Sequence, residues 1–227
     1  MILNNLAFLA VWYFWIEKFG SISGWGFSEV LLLLGSLSLV YGIITFLFGG
    51  IARFDKLIRG DMDVYLLRPR SIFLQYASDW FSFASTGDII FGVFLLALSG
   101  YGAWEVLFVF SISFLIFLSF FTLLSALVLL TNTASEKIFE DVSDIFLGAG
   151  IWPVHTIKHE FLRLFLFFVI PGFLLGAGQI EALLTIDFEK FLLLISVLFF
   201  HIVLASFLWK LALRKYTGLA GIGFLKD

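Results

Sequence analysis

Val30–Ile51, VLLLLGSLSLVYGIITFLFGGI, runs for 22 residues without a single charge. As a helix it would rise roughly 33 Å, enough to cross the hydrocarbon core of a bilayer. It shows no period-2 alternation, and lipid tolerates no unpaired backbone, so a helix is the form it must take. Outward from this stretch the pattern repeats. Val106–Leu130 is a second charge-free block, rich in Phe, and Phe191–Trp209 is a third, broken only by His201. Leu164–Ile180 is a fourth, with Pro171 and Gly172 inside it, and Trp80–Trp104 is a fifth, with Asp88 within. An apolar run from Ile2 completes the set. The expectation is an all-α integral membrane protein of six spans, at about 2–19, 30–51, 80–104, 106–130, 164–180 and 191–209. One transmembrane domain would then fill residues 1–227, with 52–79 as its main cytoplasmic loop.

Composition agrees. The chain is 61% hydrophobic with a mean hydropathy of +1.07, against about 45–50% apolar residues in soluble domains. A net charge of −3 offers nothing to a nucleic acid backbone, so no nucleic-acid partner is expected. Cysteine is absent, which removes disulfides, thiolate metal sites and cysteine nucleophiles. The amino terminus lacks the basic region and cleavage site of a signal peptide and reads as a retained span. Charge arrives there at Glu17, early for the roughly 20 residues a span needs. Either a preceding segment belongs to it, or the first helix is tilted or interfacial.

Six spans place both termini on one side. Of the fourteen Lys and Arg residues, twelve then fall on that side and only Lys18 and Lys190 on the other. The basic face belongs in the cytoplasm.

Chemistry is sparse. There is no phosphate-cradling G-x-x-x-x-G-K-[ST] and no H-E-x-x-H motif. His155 and His159 stand four apart with Glu160 alongside. That spacing would put two imidazoles on one helix face, but polar residues are also ordinary just before a span; no metal site is assigned. His201 offers either a proton or substrate contact or a hydrogen bond between helices. Asp88 either faces a cavity or partner within the membrane, or lies near the headgroups at the start of its span. Thr131–Phe146, TNTASEKIFEDVSDIF, has a capping-box pattern at Thr133 and Glu136. Ile138, Val142 and Ile145 share a face with Phe139 and Phe146, which predicts a cytoplasmic amphipathic helix. Its acidic side suits protein better than anionic lipid. Gly172 and Gly176 form a G-x-x-x-G pair that would allow close helix packing, and Pro171–Gly172 is a candidate gating kink.

The charge that the spans lack is concentrated in Arg53–Ser71, RFDKLIRGDMDVYLLRPRS. Gly60 and Pro69 are breakers, and Pro69 suits the first turn of a new helix. Both charge signs surround an apolar stripe of Val64, Leu66 and Leu67. A solvated, topology-setting loop is one reading, but the composition fits a docking surface better.

That stretch also carries a resemblance. RGDMDVYLLRPRS is similar to the G-(E/D)-x-D-x-(Y/L)-L-L-R-P segment of ABC-2-type transporter permeases, in the branch of small six-span exporter subunits. LRLFLFFVIPG (Leu162–Gly172), WKLALRKYTGLAG (Trp209–Gly221) and GWGFSEVLLLLG (Gly24–Gly35) resemble further segments of that family in the same order. The resemblance implies a permease in a bacterial or archaeal cytoplasmic membrane. It implies no ATPase activity or cofactor of its own; ATP and Mg would be held by a separate ABC ATPase subunit. It implies a second permease chain, identical or paralogous, and a coupling helix in the loop after the second span. By position its candidates are Arg59, Gly60, Asp61, Asp63, Leu66, Leu67, Arg68 and Pro69. Asp88, Pro171, Gly172 and His201 remain candidates for translocation or gating. An ion-coupled secondary transporter using Asp88 and His201, or a passive membrane anchor for a cytoplasmic partner, are the alternatives.

Overall fold

In the computed structural model, residues 2–21, 25–59, 61–131, 136–151, 159–172, 179, 180, 183 and 187–216 are described. Within them every element is helical. The order is α1 (Ile2–Phe19), α2 (Phe27–Leu47), three short helices α3 (Phe54–Ile58), α4 (Asp63–Leu66) and α5 (Ile72–Ala77), then α6 (Thr86–Leu98), α7 (Ala103–Thr131), α8 (Glu136–Ile151), α9 (Glu160–Val169) and α10 (Phe188–Lys215). Three of these, α2, α7 and α10, are long and apolar enough to cross a membrane, and Phe83–Leu98 is a shorter apolar helix.

α2 packs along α6 and α7 along α10, and contacts between α2 and α7 join the two pairs. α7 and α10 run parallel. Phe108 stacks on Phe191 near their starts, while Ser125 and Trp209 both meet Tyr76 near their ends. The chain between Thr131 and Phe188 therefore has to return to the side from which α7 set out.

The expected spans shift in instructive ways. α2 starts at Phe27 because Glu29 reaches back to accept from the Gly26 N–H at 2.6 Å, satisfying a donor that helix starts leave open. The same carboxylate accepts from the Tyr101 hydroxyl at 2.7 Å, pinning α2 to the α6–α7 turn. The third helix is shorter than the expected 80–104. Its start is displaced because the chain at Ser82 donates to the Thr45 carbonyl at 3.2 Å instead of continuing a helix. The Thr45 hydroxyl then meets Ser85 at 2.6 Å. Its end is set by Gly100, whose φ of 78° lies in the left-handed region that glycine enters at no steric cost.

The apolar block at Leu164–Ile180 is not one continuous helix. α9 stops at Val169, and Ile170 takes φ −124°, ψ 84°. Pro171 has no N–H to continue the ladder and disfavours helical geometry in the residue before it. The amphipathic helix α8 packs against protein, and through Phe146 in particular. Phe146, fully buried, stacks face to face on Phe120 at 3.9 Å and meets Phe117 edge-on at 5.2 Å, alongside the middle of α7. Ile145, expected on the same apolar face, is instead exposed. Thr133 of the expected capping box lies outside the described residues, as do the side chains of Ile138 and Phe139.

Small residues set close helix approaches, and not only at the G-x-x-x-G pair. A Cβ at Gly92 of α6 would stand 2.5 Å from the backbone nitrogen of Leu39 on α2. Gly35 and Gly42 on α2 face Leu96 and Ile89 on α6 in the same way. Gly172 does pack closely, its Cβ position 2.2 Å from the Phe146 carbonyl oxygen, whereas Gly176 lies outside the described residues.

Candidate functional site

Residues 53–79 fold into a compact platform rather than a solvated loop. Three short helices with breakers between them cannot hold themselves in water, so side chains hold them to each other and to the long helices. Arg53 donates from Nε and Nη2 to the two Asp55 oxygens at 2.8 and 2.9 Å. Arg59 adds a third donor to Asp55. Lys56 pairs with Asp79 across the platform, and the Arg53 guanidinium lies over the Trp80 ring at 5.4 Å. These contacts shape the local electrostatics. The hydrogen bond from Arg53, aided by the Arg53 and Arg59 charges, outweighs burial and holds the Asp55 carboxyl below its usual range. At Asp79 burial favours the neutral acid, but hydrogen bonds from Lys56 and Tyr65 prevail, so that carboxyl is also lowered.

The platform is anchored inward by aromatics. Met62 and Tyr65 are buried, and Tyr65 meets Tyr76 edge-on at 6.3 Å. Tyr76 lies parallel to Trp209 of α10, with centroids 5.8 Å apart, and its hydroxyl is 3.3 Å from that of Ser125 on α7. Ser125 in turn donates to the Ile51 carbonyl at 3.1 Å. Phe73 of α5 also meets Trp209, at 5.5 Å. Tyr216, just beyond α10, is hydrogen-bonded to Asp63, and burial with the Asp63 charge pushes its hydroxyl up to about 12.

The predicted candidates divide accordingly. Asp63 turns inward toward Tyr216. Arg59, Asp61, Arg68 and Pro69 are exposed, and Leu66 is half-buried. Leu67, at 79% exposure, and Val64 stand out into solvent, so two members of the apolar stripe are surface groups. Their inward partners are Met62 and Tyr65, which were not singled out. Pro69 does not open a helix: it lies in the bend before α5, whose start is capped by Ser71. Gly60 lies outside the described residues.

Asp88 sits in the first turn of α6 and is 4% exposed, within electrostatic reach of Tyr41 on α2. His201 is buried on α10. Its Nδ1 lies 2.8 Å from the Val197 carbonyl and its Nε2 3.1 Å from the Phe168 carbonyl on α9. The ring thus bridges α10 to the end of α9, near the break where regular helical bonding stops. Pro171 and Gly172 are buried at that break. Asp88 and His201 belong to different helix pairs, Asp88 to α2–α6 and His201 to α7–α10. His155 lies outside the described residues, His159 is exposed, and among the described residues no group of three or more metal-ligating side chains gathers. The aromatic braces Tyr65, Tyr76 and Trp209 went unread as site residues; the only sequence signal was aromatics flanking a charged loop.

No curated protein and no solved structure shows a significant match to this sequence. A family model described as "ABC-2 family transporter protein" matches residues 2–220. With that match spanning almost the whole sequence, the apolar helices and the charged platform beneath them are those of a membrane protein that belongs to the ABC-2 transporter family.

Proposed function

We propose that this chain is the permease subunit of an ATP-driven exporter, and that residues 53–79 are the surface on which a separate ABC ATPase docks. The single observation that carries this reading is the two-sided build of the platform. Its inner side, Met62, Tyr65 and Tyr76, is locked to α7 and α10. Its outer side presents Leu67 and Val64 among Arg59, Asp61, Arg68 and Arg70. An exposed apolar anchor in a polar rim is what a protein partner uses, since burying it excludes water around a few strong contacts. The permease brings no ATP or Mg site; the ATPase supplies both. Closing of two ATPase subunits on ATP would push on two platforms, one per permease chain. Each push would pass through Tyr76 to Trp209 and Ser125, moving helices as rigid bodies. The basic platform faces the cytoplasm, six crossings place both termini there, and the broken stretch around Pro171–Gly172 forms part of the fifth crossing.

The test is purification of the full chain from its native membrane in gentle detergent, with mass spectrometry of what accompanies it. An ABC ATPase that co-purifies with the wild type and is lost from Leu67→Asp supports the assignment. A chain that purifies without any ATPase overturns it.

A further inference from the structure

A groove of about 270 Å³ lies between α7 and α10. Leu115 and Leu118 of α7 and Ile202 and Ala205 of α10 line its length, Phe73 of the platform closes against Trp209, and Lys210 is the last lining residue along α10. Two of the three hydroxyls in its wall, those of α7, already donate within their own helix. Ser119 donates to the Ile116 carbonyl at 2.9 Å and Thr122 to the Leu118 carbonyl at 2.6 Å, so both present their apolar sides. Among the described residues no carboxylate lines the groove. Lys210 is exposed, has no ion pair among the described residues, and is followed by Arg214 and Lys215 in the last turn of the helix.

We infer that this groove binds one acyl chain of an anionic phospholipid, with the lipid phosphate on Lys210. The chemistry is amphipathic along one direction: an apolar slot ending in a cation, on the face where positive charge gathers. A lipid phosphate would satisfy the Lys210 charge. A free phosphate would leave the slot unfilled. The occupant touches Phe73 and Trp209, two of the rings that tie the platform to α10. On the permease reading above, the lipid would therefore stiffen the lever between ATPase and spans, although binding itself does not depend on that reading.

Native mass spectrometry of the full chain, released from detergent with dioleoylphosphatidylglycerol or dioleoylphosphatidylcholine, tests this directly. The wild type should retain one phosphatidylglycerol in preference to phosphatidylcholine. Lys210→Gln should weaken that retention about fivefold, the worth of one interfacial cation, and Lys210→Arg should restore it. Ser206→Phe, at an exposed lining position, should fill the groove and abolish retention of either lipid while leaving the chain monodisperse. Equal retention of the two lipids by the wild type overturns the proposal. So does retention unchanged in both Lys210→Gln and Ser206→Phe, which would mean unspecific annular lipid. Because ATPase is not needed for the measurement, its failure is separate from failure of the docking assignment.

Discussion

The Trp209 indole lies parallel to the Tyr76 ring, 17° from coplanar at 5.8 Å, and this stack joins the charged platform to the last long helix. It is a contact between residues far apart in sequence, made by two rings that are both buried. Replacing Trp209 by Ala removes the stack and the packing against Phe73. A loss of about 3–5 kcal/mol is expected, as for other buried Trp truncations. The sharper expectation is for Tyr76→Phe, which keeps the ring and removes only the hydroxyl that meets Ser125. It should cost about 0.5–1.5 kcal/mol and leave ATPase association intact. Thermal unfolding in detergent, followed for both variants, separates the ring from the hydroxyl; equal losses would mean the stack is not the main brace.

Leu67 is different in kind because its side chain stands exposed. At 79% exposure, Leu67→Asp should change the stability of the isolated permease by less than about 0.5 kcal/mol. Loss of an interface anchor typically costs 2 kcal/mol or more, roughly a 30-fold weakening. Binding of the partner ATPase to wild-type and variant permease in nanodiscs would measure it. Undiminished binding would move the interface elsewhere.

The Asp55 and Asp79 pairs predict a pH response. Both carboxyls are lowered from 3.8 in the folded chain, so the folded state favours their ionised forms. Their contribution is fully present above that value and is lost as pH falls through the lower, folded values. Amide protection in residues 53–79, taken relative to intrinsic exchange at each pH, should therefore fall on acidification below about pH 4, while that of α2 and α7 stays high. Asp55→Asn should raise platform exchange at neutral pH and flatten its acid response. An unchanged profile in that variant would remove the Asp55 cluster as the cause.

Two glycines in helices should respond in opposite directions. Gly92→Ala forces a methyl to 2.5 Å from the Leu39 backbone, which the neighbour cannot yield without moving α2. A loss of about 1–3 kcal/mol is expected. Gly148 of α8 has open space where a Cβ would go, so Gly148→Ala should stabilise by about 0.4–1 kcal/mol through the unfolded chain. Denaturation midpoints of the two variants check the contrast, and a stabilised Gly92→Ala would refute the tight α2–α6 contact.

The long spans were legible in the sequence because insertion into lipid is a local property. A charge-free run such as Val30–Ile51 has to become a helix wherever it packs, since its backbone has no other partner. The family was legible for a related reason: its segments keep their order and chemistry along the chain. Tertiary structure alone decided which face of each helix is inside. α2 and α7 are apolar all round, so no period marks the side that buries Val30, Leu33 or Phe117, and lipid-facing and core-facing residues look alike. The same blindness applied at the edges. Nothing local says that Ser82 leaves the helix to reach Thr45, or that α8 lays Phe146 along α7. Nor does anything local say that Tyr65 turns in while Leu67 turns out. Those choices are made by partners tens of residues away, and only the packed structure brings them together.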